Sequence, residues 1–173
     1  MKNNLIAAAV AATILMPAAS ALASDGTVNF TGEIIPSPCV VDIGTNNTMT
    51  VDLGKVAISS FTGVGSKASA TKFILRLKDC PIDLFSARFK FDGTGYDGDD
   101  SVLKLTQEVG VAKGVAIELS DVAAVLPLFT ASTPYTLTAG VNELPFYARY
   151  IQKSDTVDAG VANATTTFTV NYN

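Results

Sequence analysis

Hydrophobic and polar positions alternate with a period of two along most of this chain, which predicts strands with one buried face. The first alternating run is Thr27-Val28-Asn29-Phe30-Thr31-Gly32-Glu33-Ile34. Val28, Phe30 and Ile34 share one face, and Gly32 sits in the gap between Phe30 and Ile34. Pro36 and Pro38 separate this run from the rest of the chain. Residues 40–43 and 49–53 read as short strands around a turn cluster, Gly44-Thr45-Asn46-Asn47. Residues 55–67 contain Gly63, Gly65 and several serines and read as a surface connection.

The strongest alternation lies in the middle of the chain. Phe73, Leu75 and Leu77 point one way and Arg76 and Lys78 the other. Ala87, Phe89 and Phe91 alternate with Arg88 and Lys90. Residues 92–100 form a polar turn region, and residues 102–105 predict a short strand. Val115, Ile117 and Leu119 alternate with Ala116, Glu118 and Ser120. Residues 143–151 predict a strand with Phe146, Ala148 and Tyr150 on one face. Residues 166–172 predict the last, with Phe168, Val170 and Tyr172 sharing a face. Residues 121–129 allow a short helical turn, limited by Pro127. Strand runs at this spacing, rich in valine, phenylalanine and threonine, predict an antiparallel β-sandwich.

The N-terminus has a different pattern. Lys2 precedes an apolar run at residues 5–16, which is short for a bilayer span. Pro17 breaks the run, and Ala21-Leu22-Ala23 supplies a small-x-small cleavage pattern. Residues 1–23 are therefore predicted to be a signal peptide, cleaved after Ala23, with Ala19-Ser20-Ala21 as a second fit. An uncleaved membrane anchor is the competing reading. Cleavage after Ala23 leaves 150 of the 173 residues, enough for about one domain with a real core. No internal repeat or interdomain linker is evident, so no separate receptor-binding domain is expected beside the sandwich.

Charge narrows the function. The formal net charge is −4, and loss of Lys2 makes it more negative. No basic stretch remains to track a phosphate backbone, so nucleic acid is not an expected partner. No second apolar run approaches a membrane span, so the mature chain is not expected to insert directly into a membrane. Cys39 and Cys80 are the only cysteines. In an exported chain an even, small cysteine count favours one disulfide. Two free or metal-bound thiols are the rival reading, weakened by the absence of histidine and of CxxC spacing.

Catalysis is poorly supported. Without histidine the commonest general base is missing, and so is any Ser-His-Asp or Cys-His pair. No spacing singles out a pair of carboxylates. Asp92, Asp97, Asp99 and Asp100 form an acidic cluster, but the full order of a calcium loop is absent, and a solvated Asp/Gly turn is expected. No catalytic residue, cofactor or metal is expected. Sequons occur at Asn29, Asn46 and Asn163, a three-letter pattern that arises often by chance. Tyr147, Tyr150, Phe168 and Tyr172 allow a ligand groove, although cross-strand core packing is the commoner use of such residues. Gly26, Gly32, Gly54 and Gly93 read as turn or strand-end residues.

The two ends of the chain remain. Residues 163–173 contain no charged side chain, so the last strand is a long, weakly charged edge. Left unpaired, such an edge aggregates or recruits another strand. The run at residues 27–34 has the composition to be that recruit, either within its own molecule or in another.

At this point the chain resembles the major pilin subunits of type 1 fimbriae assembled by the chaperone–usher route. The resemblance rests on Gly26-Thr27-Val28-Asn29-Phe30-Thr31-Gly32-Glu33-Ile34-Ile35 leading to Cys39, and on Val51-Asp52-Leu53-Gly54. Leu77-Lys78-Asp79-Cys80, Ser101-Val102-Leu103, and Leu144-Pro145-Phe146-Tyr147-Ala148-Arg149-Tyr150 add to it. Residues 164–172, with a penultimate tyrosine, complete it.

The resemblance implies an all-β, incomplete immunoglobulin-like sandwich that lacks its last strand. A donor strand from a neighbouring subunit completes it, one of the recognised forms of β-augmentation. It implies residues 24–35 as a donor extension and residues 36–173 as the pilin domain. Val28, Phe30 and Ile34 would fill the groove, and Gly32 would sit where the groove admits no side chain. Cys39 and Cys80 would form the family disulfide. Phe168, Val170 and Tyr172 would form the acceptor edge, held before assembly by a periplasmic chaperone that anchors the carboxylate of Asn173. An outer-membrane usher would export the subunits to a surface fimbrium mediating cell adhesion. The contact is head-to-tail and generates an open filament. A minor adaptor subunit and a monomeric secreted binding module are the alternatives.

Overall fold

The alternating runs become strands wherever a partner strand lies beside them. A computed structural model describes residues 26–32, 34 and 38–172. The chain divides into two units, residues 1–34 and 35–173, and every described strand lies in the second. In chain order these are β1 (Val40–Val41), β2 (Thr71–Cys80), β3 (Ser86–Asp92), β4 (Gly95–Tyr96) and β5 (Asp99–Leu103). They continue with β6 (Val115–Ser120), β7 (Tyr135–Thr136), β8 (Gly140–Gln152) and β9 (Thr167–Tyr172).

Two antiparallel sheets result. One has the order β1-β2-β8-β6-β5-β4, the other β7-β3-β9. The longest pairing joins β2 to β8, with Phe73 opposite Phe146 and Leu75 opposite Leu144. Side chains of both sheets meet in one core that includes Leu75, Leu77, Phe89, Phe91, Leu119, Leu144 and Phe146. Phe146 is its aromatic centre, with ring centroids 5.2 Å from Phe89, 5.4 Å from Phe91 and 5.3 Å from Tyr135. Such edge-on and tilted pairs add to plain area burial.

The disulfide joins Cys39 to Cys80 across 41 residues of chain. It ties the start of β1 to the end of β2, and a loop of this length stabilises by about 4 kcal/mol on the chain-entropy model. Pro145 falls inside β8 opposite Ile74, yet it costs no ladder bond on the β6 side, because the β6 pairing ends with Ser120 opposite Tyr147. Its carbonyl accepts a 2.7 Å hydrogen bond from the Tyr135 hydroxyl.

Several expectations need correction. Residues 49–53 alternate as expected but form no ladder, and the strand expected at 40–43 is reduced to Val40–Val41. The strand expected at 102–105 is shifted, to Asp99–Leu103. Residues 121–129 contain no helical turn. Instead the Asp121 carboxylate accepts from the Ala123 and Ala124 amides, each at 2.8 Å, and from the Thr133 amide and hydroxyl, which fixes a bend. The described residues of the 27–34 run, expected to pair either within their own molecule or in another, form no ladder within the single chain. Within the polar region at 92–100, Asp97 and Gly98 have positive φ and form a two-residue hairpin turn between β4 and β5.

The outward face of β6 also differs from its pattern. Ala116 and Glu118 are buried along with Val115, Ile117 and Leu119, because β6 lies between β8 and β5. The Glu118 carboxylate is held by Lys67 at 2.8 Å and Arg149 at 2.7 Å. A buried carboxylate requires such partners.

Candidate functional site

The open edge of the three-stranded sheet is the feature that stands out. β9 pairs with β3 on one side only, with Ala87 opposite Tyr172, Phe89 opposite Val170 and Phe91 opposite Phe168. The β3 members of these pairs are sealed, at 0%, 0% and 2% exposure. The β9 members, on the same face, are only half-buried. The core is therefore closed over β3 and open over β9. Phe168 stands at this opening, with its ring 6.0 Å from Phe89 and 6.1 Å from Phe91.

The open strip is longer than β9. From Ala162 to Tyr172 every second residue is half-buried and every intervening one exposed. Ala162, Ala164, Phe168, Val170 and Tyr172 all pack against the core from this strip. Residues 49–56 supply a second extended stretch. Met49, Val51, Leu53 and Val56 are half-buried, whereas Thr50, Asp52, Gly54 and Lys55 face solvent. A cleft of about 420 Å³ separates residues 49–52 from residues 71–74 of β2, so this stretch does not extend that sheet.

Two tyrosines relate the stretches. The Tyr172 hydroxyl donates to the Cys39 carbonyl at 3.3 Å, which ties the end of β9 to the disulfide. The Tyr150 hydroxyl donates to the Ala162 carbonyl at 2.8 Å. Burial pushes the Tyr150 phenol above its ordinary pKa, and the Asp52 carboxylate pushes it further up. Burial alone raises Tyr172. We read residues 39–56 and 162–172 as the two walls of one groove running in opposite directions, an order set by the Tyr172–Cys39 and Tyr150–Ala162 hydrogen bonds and by the packing of both stretches against the core. Tyr172 and Cys39 lie at one end, Ala162, Tyr150 and Asp52 at the other.

This groove offers the requirements of an added strand. Its floor is apolar, and β9 presents an unpaired row of backbone N–H and C=O groups among the described residues. Of the four aromatics that allowed a ligand groove, Phe168 and Tyr172 line this one, and Tyr150 braces its end. Of the remaining site residues expected from sequence, Asn173 lies outside the described residues. The side chains of Val28, Phe30 and Ile34 are 75%, 93% and 98% exposed. A side chain at Gly32 would meet nothing within 4 Å in the single chain.

The acidic cluster is divided among lysines. Asp97 pairs with Lys104 and Asp99 with Lys153, each at 2.7 Å, and Asp92 with Lys90 at 3.2 Å. The Lys153 ammonium and the Ser101 hydrogen bonds hold Asp99 at a pKa of about 2. No group of metal-ligating side chains is found among the described residues.

The wall at 49–56 and the strip's extension to Ala162 are not among the site residues that the sequence singles out, and Tyr150 is singled out there only as a ligand-groove aromatic. The period-two pattern of residues 162–166 is visible in the sequence, but Ala162 and Ala164 are too small to register as a hydrophobic stripe.

A family model described as fimbrial protein matches residues 28–173. Long polar fimbria protein A of Salmonella typhimurium strain LT2 is 34% identical over 174 residues, covering 99% of this chain and 97% of its own. Type-1 fimbrial protein, A chain, of Escherichia coli strain K12 is 36% identical over 183 residues, covering 99% of this chain and 100% of its own. Among solved structures, a chaperone–usher pilus aligns with a TM-score of 0.68 at 20% identity, covering 87% of this chain and 96% of that one. At that identity the likeness shows the fold, which is immunoglobulin-like.

Proposed function

The chain belongs to the fimbrial protein family, and we propose that each copy fills the groove of the next with residues 24–35 as a donor strand. It is a structural subunit that polymerises into a surface fimbria. In the proposed contact Val28, Phe30 and Ile34 replace water over the half-buried Phe168, Val170 and Tyr172. Gly32 passes where no side chain fits, and the backbone ladder adds to β9. One observation carries this reading: the inward side chains of β9 are half-buried while their β3 partners are sealed. The exposed apolar face of the N-terminal run supplies matching surface.

Before assembly the same groove would be held by a periplasmic chaperone that also takes the carboxylate of Asn173, and an outer-membrane usher would pass subunits to the growing fibre. Catalysis forms no part of this reading, since the relatives are structural subunits and the chain has no histidine. Deleting residues 24–35 tests it. The truncated subunit should fold and co-purify with the chaperone but add nothing to a fibre in electron micrographs. Normal fibres from that variant would overturn the donor assignment.

A further inference from the structure

We propose that, when a donor arm is lodged in its neighbour, the disulfide pole of the donating subunit docks against the far end of the neighbour's groove. The pole presents Val40, Ile82, Phe85 and Val141, and the far end presents Val109 and Val161. The proposal rests on the donor-arm reading above and concerns the contact between the two folded bodies, not the strand.

Both surfaces expose apolar side chains, interspersed with the exposed carboxylates of Asp79 and Asp83 at the pole and of Glu108 and Asp158 at the far end. Ile82 is 81% exposed, Phe85 68% and Val141 60%, and Val40 is also exposed. Their neighbours place them at one pole. Val40 lies opposite Lys78, Cys80 opposite Gly140, and the Leu137 amide donates to the Phe85 carbonyl. At the other end Val109 is fully exposed and Val161 partly so. These two belong to interlocked loops, since the Val161 amide donates to the Gly110 carbonyl at 2.8 Å and Val161 bridges Val111. Gly160 has no room for a side chain there, because a Cβ would meet the Gly110 carbonyl oxygen. Val109 therefore projects from a braced tip.

Chain connectivity brings the two surfaces together. Cys39 lies five residues beyond Ile34, a span that reaches about 17 Å when extended. A subunit whose arm is lodged cannot hold its disulfide pole further than that from the groove's exit. Tyr172 and Cys39 mark the acceptor's near end as its own disulfide pole. An arm running parallel to β9 would emerge there, pole against pole, beside the root of the acceptor's own arm. Such a pairing sets like pole against like pole and, when each subunit lodges its arm in the other, closes as a dimer. An antiparallel arm emerges past Ala164 and Ala162 at the far end, beside Val161 and Val109, and that head-to-tail arrangement propagates. Exposed apolar patches at both poles are then covered by the next copy along the filament.

The test places single cysteines at exposed positions in the full chain, with Cys39 and Cys80 retained. In Phe85→Cys and in Val109→Cys, maleimide should label the isolated subunit readily and the fibre about tenfold more slowly, as expected for a buried interface core. Fibres of the double variant Phe85→Cys/Val109→Cys should form an intermolecular disulfide ladder on mild oxidation, absent from either single variant. Equal labelling in subunit and fibre, or protection at position 85 without protection at 109, would overturn the proposal. Ile82→Cys gives the same readout should Phe85→Cys fail to assemble. Fibres formed without residues 24–35 would sink the donor-arm reading instead, independently of how the thiol at position 85 labels.

Discussion

Asp121 shows how a single carboxylate organises a loop beside the groove sheet. Burial pushes its pKa up, but the amides of Ala123, Ala124 and Thr133 and the Thr133 hydroxyl together outweigh burial, so its pKa lies below the usual carboxylate range. A carboxyl depressed in the folded state stabilises fully above its unfolded pKa, near 4, and that contribution is lost as pH falls through the folded value. Asp121→Ala should cost about 2–3 kcal/mol in denaturant unfolding at neutral pH, because several buried donors lose their acceptor. Asp121→Asn should flatten the acid limb of stability while keeping part of the loop. Gly32 is the residue-scale position that the proposed donor arm would use in assembly alone. A Cβ there meets nothing in the single chain. Gly32→Leu should therefore leave subunit stability unchanged and abolish fibres in electron micrographs; wild-type fibre yield would refute the register given to the arm.

At the scale of elements, β9 and β3 make the same kind of strand with opposite outcomes. Phe168 on β9 keeps one side open, whereas Phe89 on β3 has none. Phe168→Ala should thus cost the isolated subunit less than the about 3–5 kcal/mol typical of a buried phenylalanine, while weakening the fibre more than the subunit. Comparing denaturant midpoints of the two forms measures this. The long runs were legible in sequence because each finds its ladder partner within the same sandwich: Phe73-Leu75-Leu77 in β2, Ala87-Phe89-Phe91 in β3, and Phe146-Ala148 in β8. Residues 49–53 carry the same period without a ladder, since alternation reports a half-buried face and not a hydrogen-bond partner. The burial of Glu118 was hidden for a related reason. A glutamate between apolar residues reads as an outward face, and its two cationic partners come from β8 and from Lys67, 51 residues upstream. The dipeptide strands β4 and β7 are too short to leave any periodic signal.

At the scale of the whole molecule, the stability of a folded subunit and that of a fibre are separate quantities drawn from different residues. Phe30 is 93% exposed in the single chain, so little is lost there when it is truncated. Lodged in a neighbour's groove it would sit on a floor built by Phe168, Val170 and the sealed side chains of β3, where large-to-small truncation removes both burial and packing. Phe30→Ala should leave the unfolding midpoint of the isolated subunit unchanged and lower fibre stability by about 3 kcal/mol per contact. In the proposed fibre each subunit is held by the arm it receives and by the arm it donates, so fibres of the variant should fragment under heat or denaturant at conditions the wild type survives. Phe89→Ala supplies the contrast. Phe89 is sealed whether or not the groove is filled, so its truncation should destabilise subunit and fibre alike. If Phe30→Ala instead lowered the stability of the isolated subunit by a similar amount, the arm would be folding into its own groove, and the open filament would lose its physical basis.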